Sequence, residues 1–186
     1  MKDPMQWKPW LVYDQRFVSD RPDLPVYQTA ALQKSMHIMG APQVDLFAAT
    51  SVSDSDWVVK IVDVYPNSSP ETADQGSKPS MAGSEIPIGI EILRGRYVHG
   101  FDKPQALIPG KVEEFKFDLP NVDHVFLPGH RIMIQVQSSL FPLYDRNPQT
   151  YVDNIFNARP EDYKIATQSI YHGAATASSI SLPLVP

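Results

Sequence analysis

Cysteine is absent from the 186 residues, so no disulfide or thiolate metal site can form. Glycine is scarce, with nine residues, and no two of them lie four apart or two apart. The first gap excludes the G-x-S-x-G turn that exposes a hydrolase serine; the second excludes the G-x-G-x-x-G phosphate cradle. No H-E-x-x-H pair or Walker loop occurs, and no apolar run approaches the roughly 18 residues of a membrane-spanning helix. Basic residues number 16 against 21 acidic ones and are scattered, which argues against a nucleic-acid surface. Residues 1–10 are polar and broken by proline, unlike a signal peptide.

What the chain does have is proline, 18 residues, and a 42% hydrophobic content adequate for one core. So much proline beside so little glycine suggests many strand ends and ordered loops. Residues 1–20 read as an extended lead-in or linker carrying Trp7, Trp10, Tyr13 and Phe17, and Met1-Lys2-Asp3-Pro4 resembles a cut within a linker. Residues 21–186 read as a single domain. Strands are expected over 26–32, 36–50 with a turn at Gly40-Ala41-Pro42, 56–65, 88–98, 111–119, 125–127, 131–139, 168–172 and 179–185. The 56–65 segment is rich in β-branched residues and apolar on both faces, so it belongs inside a sheet. Residues 66–87 read as a long surface loop, and 159–164 as a helical turn entered through Pro160. Crossover helices are missing, which leaves an all-β fold: a two-sheet jelly-roll β-sandwich.

The least trivial functional signal lies in residues 131–150. Ile132, Ile134 and Val136 alternate with Arg131, Gln135 and Gln137, the pattern of a strand with one buried face. The chain then enters a loop stiffened by Pro142 and Pro148, with Asp145, Arg146 and Asn147 at its centre. Arginine offers a planar fork of donors, so Arg146 either ties the loop to its own domain or meets a partner. Trp57 heads the central strand and is read as packed inside, with a carbohydrate platform as the competing role. Asp54-Ser55-Asp56 reads as a turn before it reads as a calcium loop, because the remaining oxygen ligands cannot be named. Lys60 and Asp63 interrupt the apolar strand and are expected to be buried and paired. No two of His37, His99, His124, His130 and His172 lie within five positions of each other, so no local zinc pair is present.

DSDWVVKIVDVYP, FDKPQALIPGKVEEFKFDLP, LPGHRIMIQVQSSLFPLYDRNPQT and the closing QSIYH…SSISLPL strands together resemble one family. They are similar to the C-terminal domain of the X-Pro dipeptidyl-peptidase family, which includes cocaine esterase, α-amino-acid ester hydrolases and glutaryl-cephalosporin acylases. The Trp57 strand and the Arg146-Asn147-Pro148 loop look most like the ester hydrolase and acylase branch. The resemblance implies a galactose-binding-like jelly roll, non-catalytic in itself, packed on an α/β-hydrolase domain of the same polypeptide. The family's catalytic serine, aspartate and histidine precede this domain, so none maps onto a position here. Trp57, Asp145, Arg146 and Asn147 are therefore candidates to face the neighbouring domain or its cleft. No cofactor, metal, nucleic-acid or membrane partner is implied. The parent would be a periplasmic or secreted serine hydrolase, with this domain contributing to oligomer contacts. An independent carbohydrate- or ligand-binding jelly roll is the alternative, and an autonomous hydrolase is disfavoured.

Overall fold

The protein is represented by a computed structural model that describes residues 12–68 and 80–186. The expectations for Trp7, Trp10 and the middle of the 66–87 loop lie outside those residues.

Eight strands carry the architecture. They are β1 (Val26–Gln28), β2 (Met36–Gly40), β3 (Gln43–Thr50), β4 (Asp56–Val64), β5 (Glu85–Arg94), β6 (Glu113–Asp118), β7 (Val122–Phe126) and β8 (Arg131–Gln137). They pair antiparallel as β1 with β8, β2 with β7, β3 with β6 and β4 with β5. A long hairpin wound round a sandwich produces this nested pairing, so the chain is a jelly roll. One sheet runs β1-β8-β4-β5, with β4 internal as its two apolar faces require. The facing sheet is built on β3, which pairs β6 on one side. The short strands β9 (Gln168–Ile170) and β12 (Ser179–Ser181) also pair with β3, while β10 (His172–Gly173) and β11 (Thr176–Ala177) form a small hairpin.

Alternation places Trp57, Val59 and Ile61 of β4 between the sheets, against Leu46 and Phe115. Trp57 is 1% exposed, and its ring lies 5.3 Å from that of Phe115. The opposite face of β4, with Val58, Lys60 and Val62, is also buried. Part of its cover comes from a helical turn, α1 (Arg16–Ser19), in a segment expected to be extended. Gln15 Nα donates to the Glu85 carbonyl at 2.7 Å, and Val18 is buried. Four residues are too few to show a helical period in the sequence.

That turn also corrects the reading of β8. Ile132 and Val136 join the core as expected, but Gln135 on the other side is 0% exposed and Met133 is buried beside it. Gln135 Nε2 donates to Ser19 Oγ of α1 at 2.9 Å, so this member of the polar row meets the lead-in rather than water, while Arg131 and Gln137 stay partly exposed. Lys60 and Asp63 are buried but do not pair with each other. Lys60 Nζ donates to Gln15 Oε1 at 2.8 Å, while Asp63 is held between His130 Nδ1 at 2.8 Å and His124 Nε2 at 2.9 Å. Three positions apart on a strand, Lys60 and Asp63 face opposite sides of the sheet.

Candidate functional site

The loop after β8 is held by a polar clamp whose parts come from three places in the chain. Asp54 and Asp56 lie two residues apart at the entry of β4, and Arg94 and Arg96 lie two apart at the exit of β5. Antiparallel pairing puts Asp56 opposite Arg94. Arg94 Nη1 donates to Asp56 Oδ2 at 3.0 Å, and Arg96 donates to Asp54 Oδ2 from Nε at 2.9 Å and Nη2 at 2.6 Å. Gly95, between the arginines, bends the strand into a 3-10 turn, Gly95–Tyr97. A Cβ there would come within 2.8 Å of the Ser55 carbonyl oxygen, so glycine is required by proximity. This bend ends β5 at Arg94, short of the expected end at Val98.

Both arginines then reach the loop. Arg94 Nη2 donates to the Asp145 carbonyl at 3.1 Å; Arg96 Nη1 donates to the Val152 carbonyl at 2.9 Å. The Arg96 guanidinium also lies 4.8 Å from the centroid of the Tyr151 ring. Asn147 is buried, donates from Nδ2 to Asp56 Oδ1 at 2.8 Å, and accepts from Gln149 N at 2.8 Å. That last bond fits the left-handed backbone at Gln149, φ 65°. Burial pushes the Asp56 carboxyl up to about 6, opposed by the Asn147 hydrogen bond and the Arg94 charge. With their carboxylates committed to arginines, Asp54 and Asp56 form an ion-paired turn.

Arg146 stays outside the clamp. It is exposed, with its guanidinium 5.6 Å from the Phe141 ring centroid and 6.0 Å from that of Tyr163. It has no carboxylate partner among the described residues. Tyr163 leads to Ile165, which is 100% exposed, and Lys164 N donates to the Pro148 carbonyl at 2.9 Å. Phe141 also lines a hollow shared with Phe17 of α1. The result is an apolar, cation-bearing surface running through Phe17, Phe141, Arg146, Tyr163 and Ile165.

Of the sequence candidates, Asn147 is a buried strut, Asp145 contributes its backbone carbonyl, and Arg146 faces outward. Trp57 was a candidate to face a neighbouring domain or cleft. Its burial among Val59, Ile61 and Phe115 leaves almost no surface to present, although its Nε1 has no hydrogen-bond partner among the described residues. Sequence reasoning missed Arg94 and Arg96. The signal was present in the matching spacing of D-S-D and R-G-R at the ends of two pairing strands, but it needs the register to be read. It also missed the convergence of His124 and His130, six positions apart, on Asp63. The described residues contain no group of three or more His, Cys, Asp or Glu arranged to hold a metal ion.

Residues 2–181 match the family described as the X-Pro dipeptidyl-peptidase C-terminal non-catalytic domain. The chain is 34% identical to cocaine esterase from Rhodococcus sp. (strain MB1 Bresler) over 172 residues, covering 92% of the chain and 27% of that protein. It matches the crystal structure of an aminopeptidase from a marine sediment archaeon, Thaumarchaeota archaeon, with a TM-score of 0.91 and 46% identity, over 98% of this chain and 29% of that one. An α-amino acid ester hydrolase structure matches with a TM-score of 0.90 and 52% identity, over the same shares, 98% and 29%. The chain thus spans less than a third of the length of these relatives. It belongs to the family of X-Pro dipeptidyl-peptidase C-terminal non-catalytic domains.

Proposed function

We propose that this chain is a structural and docking module. It packs against an α/β-hydrolase catalytic domain of the same polypeptide, in a serine hydrolase that cleaves amide or ester bonds of aminoacyl or acyl substrates. In that parent a serine takes the acyl group and water releases it, with the whole triad outside the present residues. The observation that carries the reading is the exposed Phe141–Arg146–Tyr163 cluster on a loop pinned from behind by Arg94, Asp56 and Asn147. Clamping the loop in advance lowers the ordering cost of an interface. Aromatic side chains and an arginine without an ion-pair partner are the residue types that anchor protein contacts.

Calorimetry of the 186-residue chain with the separately produced catalytic region should show saturable, stoichiometric association. The double variant F141S/R146A should bind about tenfold more weakly or worse. Absence of association, or equal binding by the variant, would overturn the docking assignment.

A further inference from the structure

Lys60 is the one basic residue in the apolar run of β4, and its position is costly. It is 3% exposed, and Gln15 Oε1, a neutral acceptor, is its hydrogen-bond partner. An ammonium carries three donors, and no carboxylate pairs with this one among the described residues. A buried charge without a counter-charge is expensive enough that proteins ordinarily pair it or replace it.

Lys60 also lines a hollow of about 320 Å³ between α1 and the start of the loop after β8. Arg21, Ser138 and Ser139 supply polar groups to its wall, and Phe17 and Phe141 supply rings. Asp23 lies on the same wall but is committed to Arg21, whose Nε reaches Asp23 Oδ1 at 3.0 Å. Once that pair is discounted, Lys60 is the remaining charged residue on the wall among the described residues. One uncompensated cation matches a monoanion, and the neighbouring rings suit a carbon substituent over a bare inorganic ion.

We propose that this hollow is a binding site for a small organic monocarboxylate, its carboxylate paired with the Lys60 ammonium and its apolar end against Phe17 and Phe141. The assignment requires no hydrolase partner, but Phe17 and Phe141 also lie on the proposed docking face, so it is tested on the isolated chain, where failure to bind carboxylate and failure to dock are read separately. The site has a charged side chain more than nine-tenths buried, two serines on its wall, and room for more than one ring by comparison with dry cavities of about 150 Å³ that admit benzene.

The test titrates the chain at neutral pH and constant ionic strength with 3-phenylpropionate, acetate and inorganic phosphate. Thermal unfolding and the Lys60 15Nζ resonance are the readouts. Saturable rises in unfolding temperature are expected in the order 3-phenylpropionate, acetate, phosphate. Lys60→Met should lose at least about tenfold in carboxylate affinity, the loss of a charge-assisted contact. Phe141→Ser should bring 3-phenylpropionate down towards acetate while acetate itself still binds. If Lys60→Met does not unfold cooperatively, the wild-type resonance decides: a saturable shift supports the site and an unmoved signal overturns it. Phosphate binding as tightly as the carboxylates, or an undiminished response in a folded Lys60→Met, would also overturn it.

Discussion

At the scale of single residues, the chain keeps two kinds of buried charge. Arg96 and Asp54 are both buried and are joined by two hydrogen bonds to one carboxylate oxygen. Removing one member leaves the other uncompensated, so Arg96→Met should cost about 3–5 kcal/mol in denaturant unfolding. Lys60 behaves oppositely, because no counter-charge among the described residues pairs with it. Burial, with a smaller push from Arg21, lowers its ammonium to about 8 from an ordinary 10.5. Between those values the unfolded chain binds more protons than the folded one. The Lys60 contribution to stability therefore rises as pH climbs from about 8 towards 10.5, and below about 8 its full cost stands. Lys60→Met should raise stability at neutral pH by on the order of 1 kcal/mol and flatten that alkaline rise. Urea unfolding of both proteins across this pH range checks the sign; a variant that is less stable at neutral pH would contradict it.

At the scale of elements, legibility followed the length of the apolar pattern. The β3 and β4 segments and the Phe115–Phe117–Leu119 alternation show in the sequence because each runs long enough to display period two. The burial of Gln135 on β8 is not legible in the sequence because its cover, α1, is a four-residue turn from a segment distant in sequence. The Arg94–Asp56 clamp stayed hidden for the same reason: spacing along one strand says nothing until its partner's register is known. Gly95 is the hinge on which that clamp depends, since it lies between both arginines and its N–H reaches the Ser55 carbonyl at 2.7 Å. Gly95→Ala should shift both arginines and cost about 1–3 kcal/mol, the usual price of overpacking. Proteolysis should then become faster within the loop that follows β8 than elsewhere. Unchanged stability and unchanged cleavage would show that the bend tolerates a side chain.

At the scale of the whole molecule, the absent nucleophile elbow and the family's non-catalytic description agree, and the chain covers 27–29% of its relatives. The fold and the family could be recognised from motif order, whereas the outward-facing role of Arg146 required knowing that Arg94, and not Arg146, ties the loop down. Arg146→Ala should therefore leave stability within about 0.5 kcal/mol, as exposed substitutions usually do, while weakening association with the catalytic region. The most direct measurement is hydroxyl-radical footprinting of Phe141, Tyr163 and Ile165 in the isolated chain and in the intact parent polypeptide. Docking through this face requires strong protection of all three side chains in the parent and free oxidation in the isolated chain. Equal oxidation in the two forms would contradict the assignment of this surface to the domain interface.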